Sequence, residues 1–229
     1  MKYLFCIDKC EDLRKMQEGQ IDSLATAEGV EIHKLVIGKE DQQETILDYL
    51  ENFSDDEYIV FVPAMNLLVS PVAHSKIQKL AGVCEELKAD YCRLRRIHSS
   101  QKIRSQATEH VDYADIFYIC PHIFKVSALK DSISRVASGQ MFWYSLETKD
   151  LSGIFYYSEK ENAETRAEFS YYVCQPFNTL SEVVDINGKW QSSFIQHNKN
   201  ILETLITEYN LEVDGRSSSK ETINECCGQ

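Results

Sequence analysis

The chain has 229 residues, 43% of them hydrophobic and 10% aromatic, and a formal net charge of -12. That is enough apolar material for a sizeable core in one large domain or two small ones, and it excludes wholesale disorder. The acidic balance excludes a general nucleic-acid or polyanion binder, which needs clustered Lys and Arg, while leaving room for one small basic pocket.

The amino terminus, MKYLFCIDKCEDLRK, has an apolar run of five residues and then turns acidic. It reads as a first strand over Lys2–Asp8 and not as a signal peptide. Residues 11–27 read as a helix, with Leu13, Met16, Ile21 and Leu24 near helical spacing and Gly29 closing it. A second strand follows over 30–37, ended by Gly38, and a second helix over 40–52. Tyr58–Val62 is a continuous apolar, β-branched and aromatic run, the pattern of a strand buried on both faces. Pro63 ends it, because proline cannot donate to a central ladder. A third helix over 71–88 carries Ile77, Leu80, Val83, Cys84 and Leu87 on one face, and a fourth strand is expected over 90–97.

This alternation is the βαβ rhythm of an α/β domain with a mainly parallel central sheet flanked by helices. Beyond Ser99 the rhythm loosens into a polar connection, a strand over 116–120, a helix over 127–137 and aromatic-rich stretches over 141–146 and 154–157. A late strand over 171–173 and an amphipathic helix over 196–209 follow. One domain over 1–212 and a polar, flexible tail over 213–229 are expected. No apolar run approaches the ~18–20 residues of a transmembrane helix.

The eight cysteines match no zinc-ligand spacing. Cys6, Cys92 and Cys120 fall inside apparent strands and read as small core hydrophobes, while Cys226 and Cys227 close the polar tail. A reducing, cytoplasmic setting is the expectation. No phosphate-binding G-x-x-x-x-G-K-[ST] loop, G-x-G-x-x-G turn, G-x-S-x-G elbow or H-E-x-x-H helix occurs, so the usual readings as nucleotide hydrolase, dinucleotide oxidoreductase, serine hydrolase and zincin lose their support.

Ligands of open α/β sheets bind just past the carboxyl ends of the strands. Past Val62 a metal-dependent enzyme would be expected to place carboxylates; here stand Pro63, Ala64, Met65 and Asn66. Asp55 and Asp56 lie before the strand, at the wrong end for such a site.

Four segments, in order, resemble GT-A-type glycosyltransferases, including bacterial and large-virus members. DDEYIVFVPAMNLLVSPVAHSKIQKLAGVCEELKADYCRLRR is similar to their strand, D-x-D loop, helix and strand. FYICPHIFKVSAL resembles an S-x-Q-P-x-I-W-K-x-x-x-L segment, WYSLE a W-x-F-E element, and GKW with ITEYNLEVDGR the closing G-K-W … E-Y-x-I-x-x-R-G. The resemblance covers roughly residues 55–216 and departs from the family where the D-x-D aspartates would stand. It implies a single GT-A-like, Rossmann-related domain transferring a sugar, of hexosyl type, from a nucleotide-sugar donor to a saccharide or glycoconjugate acceptor in polysaccharide assembly. Mn or Mg would be the family's cofactor, yet no metal ligand is assigned here.

The resemblance also suggests roles. Asp8, ending the first strand, would meet a ribose hydroxyl or base; a solvated loop aspartate is the alternative. Counter-charge for the diphosphate would come from Arg93, Arg95, Arg96 or Lys102, or the same residues form a solvated basic patch. Lys189 would approach the diphosphate and Trp190 a sugar face, unless GKW is a turn with a packed tryptophan. Glu147 would be the base, with Trp143 and Tyr144 as a sugar platform raising its pKa; the alternative is core aromatics beside a surface carboxylate. His122 would hydrogen-bond the acceptor or be structural. Two further readings remain: a catalytically silent binding or scaffold protein of the same fold, and an unrelated α/β domain.

Overall fold

The computed structural model describes residues 1–8, 11–24, 28–37, 41–64, 66–68, 72–94, 106–108, 111–114, 121–136, 150–156 and 179–180. The first strand, β1 (Lys2–Asp8), pairs in parallel with β2 (Glu31–Ile37) on one side and with β3 (Tyr58–Val62) on the other. Helix α1 (Glu11–Leu24) joins β1 to β2, and α2 (Gln42–Leu50) joins β2 to β3. The first crossover runs from β1 out to β2, and the second runs back from β2 past β1 to β3, in the opposite direction. Right-handed connections therefore place their helices on opposite faces of the sheet.

The core confirms that arrangement. Tyr3, Phe5, Ile7, Val60 and Val62 pack with Ile21 and Leu24 of α1 and with Ile77, Leu80 and Cys84 of α3 (His74–Leu87). The alternate residues Leu4, Cys6, Ile59 and Phe61 pack with Ile46 and Leu50 of α2 and with Val126, Leu129 and Ile133 of α4 (Val126–Ser134). This period of two, buried on both faces, is why the strands read as unbroken apolar runs. Each such side chain contributes about 1.5–3 kcal/mol by leaving water.

After β3 the chain forms a short strand, β4 (Leu67–Leu68), then α3, then β5 (Tyr91–Arg93). Beyond it come β6 (Gln106–Thr108), β7 (Val111–Ala114), β8 (His122–Lys125), β9 (Gly153–Tyr156) and β10 (Thr179–Leu180). The main sheet has eight strands in the order β2-β1-β3-β8-β5-β9-β7-β6, and β4 pairs with β10 in a separate two-stranded sheet. β8 runs antiparallel to both β3 and β5, and β7 antiparallel to β6 and β9. The other strands of the main sheet share one direction. The α/β class with a helix-covered sheet is as the sequence implies. The sheet is mixed, with β1–β2, β1–β3 and β5–β9 parallel and its other described pairings antiparallel, and β5 does not join β3 directly. β8 is inserted between them, a long-range pairing that no local spacing announces.

Helix ends differ from the periodicity by a few residues. The described part of α1 ends at Leu24, residues 25–27 lying outside the described residues, and α3 begins at His74. α3 ends on Lys88 in the left-handed conformation (φ 53), with its N–H returned to the carbonyls of Cys84 and Glu85. The fourth strand is shorter than expected, its described part ending at Arg93. The strands expected over 116–120 and 171–173, the helix over 196–209, the aromatic stretch over 141–146 and the tail lie outside the described residues. Among the described residues no helix is long and apolar enough to cross a membrane.

Candidate functional site

The order of strands reverses at β1, since β2 follows on one side and β3 on the other. Such a switch point opens a crevice past the carboxyl ends of the diverging strands. The register gives its dimensions. Phe5 pairs with Val62, the last residue of β3, while β1 continues three residues to Asp8 beside Ile37 of β2. β1 therefore overhangs β3 by about 10 Å. Asp8 ends that overhang, where the sequence suggested it.

Residues leaving β3 turn past this overhang. Asn66 donates its backbone N–H (3.2 Å) and its side-chain Nδ2 (3.0 Å) to the Pro63 carbonyl, closing a tight turn. Two glutamines of α1 hold the turn from the other side. Gln17 Nε2 donates to the carbonyls of Ala64 and Asn66. Gln20 makes a two-way amide pair with Leu68, donating Nε2 to its carbonyl at 2.7 Å and accepting its N–H at 2.9 Å. Gln17, Gln20 and Asn66 are all about 95% buried. Leu67 and Leu68 then pair with Leu180 and Thr179 of β10. The loop is fixed on both sides.

Sequence reasoning had missed Gln17 and Gln20. Their signal was present: both lie between Met16 and Ile21 on the face that also carries Leu24, so helical periodicity buries them. A buried amide needs partners, and these find them in a strand-end loop that cannot satisfy its own carbonyls.

A second polar group lies across the sheet. Arg93, the last residue of β5, pairs with His122, the first of β8, which pairs in turn with Phe61 of β3. Arg93 is 1% exposed and His122 fully buried. The solvated basic patch is thereby excluded for Arg93. The His122 ring packs 5.8 Å from Tyr91 and 5.5 Å from Phe124, on the face covered by α2 and α4. Arg93 and His122 are therefore brought together. Asp8 stands apart from them, four residues further along (about 13 Å) and two strands across from His122 or three from Arg93 (about 10 and about 14 Å) in an ideal sheet. Arg95, Glu147, Trp143, Lys189 and Trp190 lie outside the described residues.

Ion pairs gather at the opposite edge, where β3 begins. Lys125 binds Asp56 at 2.8 Å, Lys130 binds Asp55 and Glu51 at 2.9 Å each, and Lys2 binds Glu57 at 2.9 Å. Hydrogen bonding to Lys125 holds the Asp56 carboxyl below its usual range. Asp55 and Asp56 are thus structural charges, as their place before the strand implied. Burial, then the nearby Met1 ammonium, lowers the His74 pKa; its Nδ1 lies 2.8 Å from the Tyr3 hydroxyl. Cys6, Cys84 and Cys92 are buried free thiols, and burial raises the Cys6 pKa.

A divalent cation of the kind the GT-A resemblance implies does not fit the loop after β3. Hard cations take carboxylate and carbonyl oxygens. Pro63 and Ala64 bring no ligating side chain, and the carbonyls of Pro63, Ala64, Asn66 and Leu68 already accept amide N–H groups. Among the described residues no group of three or more His, Cys, Asp or Glu could hold a metal ion.

No protein-family model and no curated protein matches the chain. Among solved structures, residues 1–349 of TarS from S. aureus are a weak neighbour, at TM-score 0.39 and 6% identity, over 99% of this chain and 69% of that one. A likeness that distant carries no argument about chemistry.

Proposed function

We propose that the chain is a GT-A-like glycosyltransferase that lays a nucleotide sugar along the carboxyl edge of its sheet. The supporting observation is the switch point at β1, with Asp8 at the end of an overhang beside a fixed loop. In this reading Asp8 accepts a hydrogen bond from the ribose or base. Arg93, with Arg95 and Lys189, meets the diphosphate, and Trp143, Trp190 and His122 shape the acceptor side. Transfer forms a bond between the acceptor oxygen and the anomeric carbon and breaks the bond from that carbon to the diphosphate. The hydroxyl proton passes to Glu147, and the leaving negative charge is met by the guanidinium groups.

Calorimetry of the full chain with UDP, GDP and CMP sugars tests the reading. One of them is expected to bind, and Arg93→Met, which keeps the side-chain bulk, should weaken it about 10–100-fold, the worth of a charge-assisted hydrogen bond. Unchanged affinity in a folded Arg93→Met variant would remove Arg93 from the site. Transfer lost in Glu147→Gln with binding retained supports the base assignment.

A second reading, a catalytically silent binding or scaffold protein of this fold, is favoured by one observation: the loop after β3 carries no carboxylate, and its polar groups are spent on one another. Nucleotide binding without turnover supports it.

A further inference from the structure

We infer that Gln17, Gln20 and Asn66 form an amide clasp that takes the place of a divalent cation at the end of β3, so that ligand binding at this edge is independent of metal. The inference rests on the reading of this edge as the ligand-binding edge. Among the described residues, the carbonyls of Pro63, Ala64, Asn66 and Leu68 each accept an N–H from one of the three side-chain amides.

An amide N–H at these positions puts partial positive charge where a cation would sit, and a carbonyl so engaged has already given up one of its lone pairs. A cation would have to displace buried donors, leaving them unsatisfied. It would gain no carboxylate from Pro63, Ala64 or Asn66 in return. The clasp also performs the mechanical part of a metal's role. It ties the loop to α1 through Gln17 and to Leu68 through both ends of the Gln20 amide. Fixing the loop before ligand arrives removes an ordering cost from binding.

The test uses the full chain with Mn2+ alone, and then with UDP. Paramagnetic Mn2+ broadens nearby nuclei, so the assigned side-chain NH2 resonances of Gln17, Gln20 and Asn66 report on the loop directly. They are expected to keep their line widths at millimolar Mn2+; broadening confined to exposed carboxylates elsewhere agrees with the inference. Saturable, one-to-one broadening of the three amides overturns it. UDP affinity is expected to agree within about twofold between Mn2+ and EDTA, and a tenfold loss in EDTA, about 1.4 kcal/mol, also overturns it. If UDP binds under neither condition the nucleotide reading fails, while the Mn2+ line widths still decide whether the clasp excludes metal.

Discussion

Where β3 begins, the polar groups are charged, exposed and matched in pairs; where it ends, they are buried, and most are neutral amides. At the first edge Asp56 is 90% and Glu51 72% exposed, and their lysine partners reach out from β8 and α4. At the second edge Gln17, Gln20, Asn66, Arg93 and His122 are all essentially out of water. Exposed ion pairs gain modest Coulomb energy and are screened by salt. Buried polar groups cost free energy unless their hydrogen bonds are made, and once made they hold a single geometry. The first edge can vary cheaply, whereas the second must keep its partners. That contrast is why the carboxyl edge is the better place to look for a site.

The sharpest way to break this comparison is to remove one amide. In Gln20→Leu, both the N–H and the carbonyl of Leu68 lose their side-chain partner. At about 1–3 kcal/mol for each buried unsatisfied group, the variant should lose about 2–6 kcal/mol in urea unfolding. Gln20→Glu keeps the acceptor but turns a carboxylate oxygen toward the buried Leu68 carbonyl, so at neutral pH it should cost at least as much. A loss under about 0.5 kcal/mol, the range of ordinary surface substitutions, would mean that the loop stands without the clasp.

The legible part of this molecule is the part whose signal is local. Lys2–Asp8 and Tyr58–Val62 read correctly to the residue because both are buried on two faces and end at a charge or a proline. The two-sided helix cover follows from the reversal at β1, an order that strand–helix alternation leaves open. What could not be read depends on distant pairing. His122–Lys125 lies between the strand expected over 116–120 and the helix expected over 127–137, yet it is the strand that separates β3 from β5. Gly153 precedes the aromatic stretch expected over 154–157, and in the sheet it lies opposite Tyr91, whose ring occupies the space a Cβ would need. At the candidate site, Asp8 and the missing carboxylates were visible as strand-end residues. The glutamines were hidden because an apolar-face scan passes over polar residues, although their helical phase was right.

A smaller effect should appear at the edge where the strands begin. His74 lies between the Tyr3 hydroxyl and the Met1 ammonium, and its pKa in the folded protein is below the ordinary value of about 6.5. The folded state thus resists a proton that the unfolded state accepts. This contribution to stability is complete above about pH 6.5 and is lost as pH falls through that value toward the folded pKa. Urea midpoints measured at about pH 7.5 and about pH 5.5 should differ more for the natural chain than for His74→Gln. An equal midpoint difference in the two proteins would show that proton uptake at His74 does not bear on the stability of this edge.

The smallest effect is expected from the most conspicuous ion pairs. Lys130 reaches two carboxylates, Asp55 and Glu51, and the hydrogen bonds to both raise its pKa. Both partners are largely exposed, so water and salt screen the attraction and compete for the same hydrogen bonds. Nor does the helix need this lysine to begin. The first N–H groups of α4, those of Val126 and Ser127, are already taken by the carbonyls of Glu57 and Asp55 at 2.9 and 3.0 Å. Lys130→Met keeps the aliphatic stem over the surface and removes the charge. It should cost at most about 1 kcal/mol at low ionic strength, with the difference from the natural chain shrinking in molar salt. A loss as large as that of Gln20→Leu, persisting in salt, would erase the distinction between the edges, because it would require the exposed pairs to hold the fold as firmly as the buried amides do.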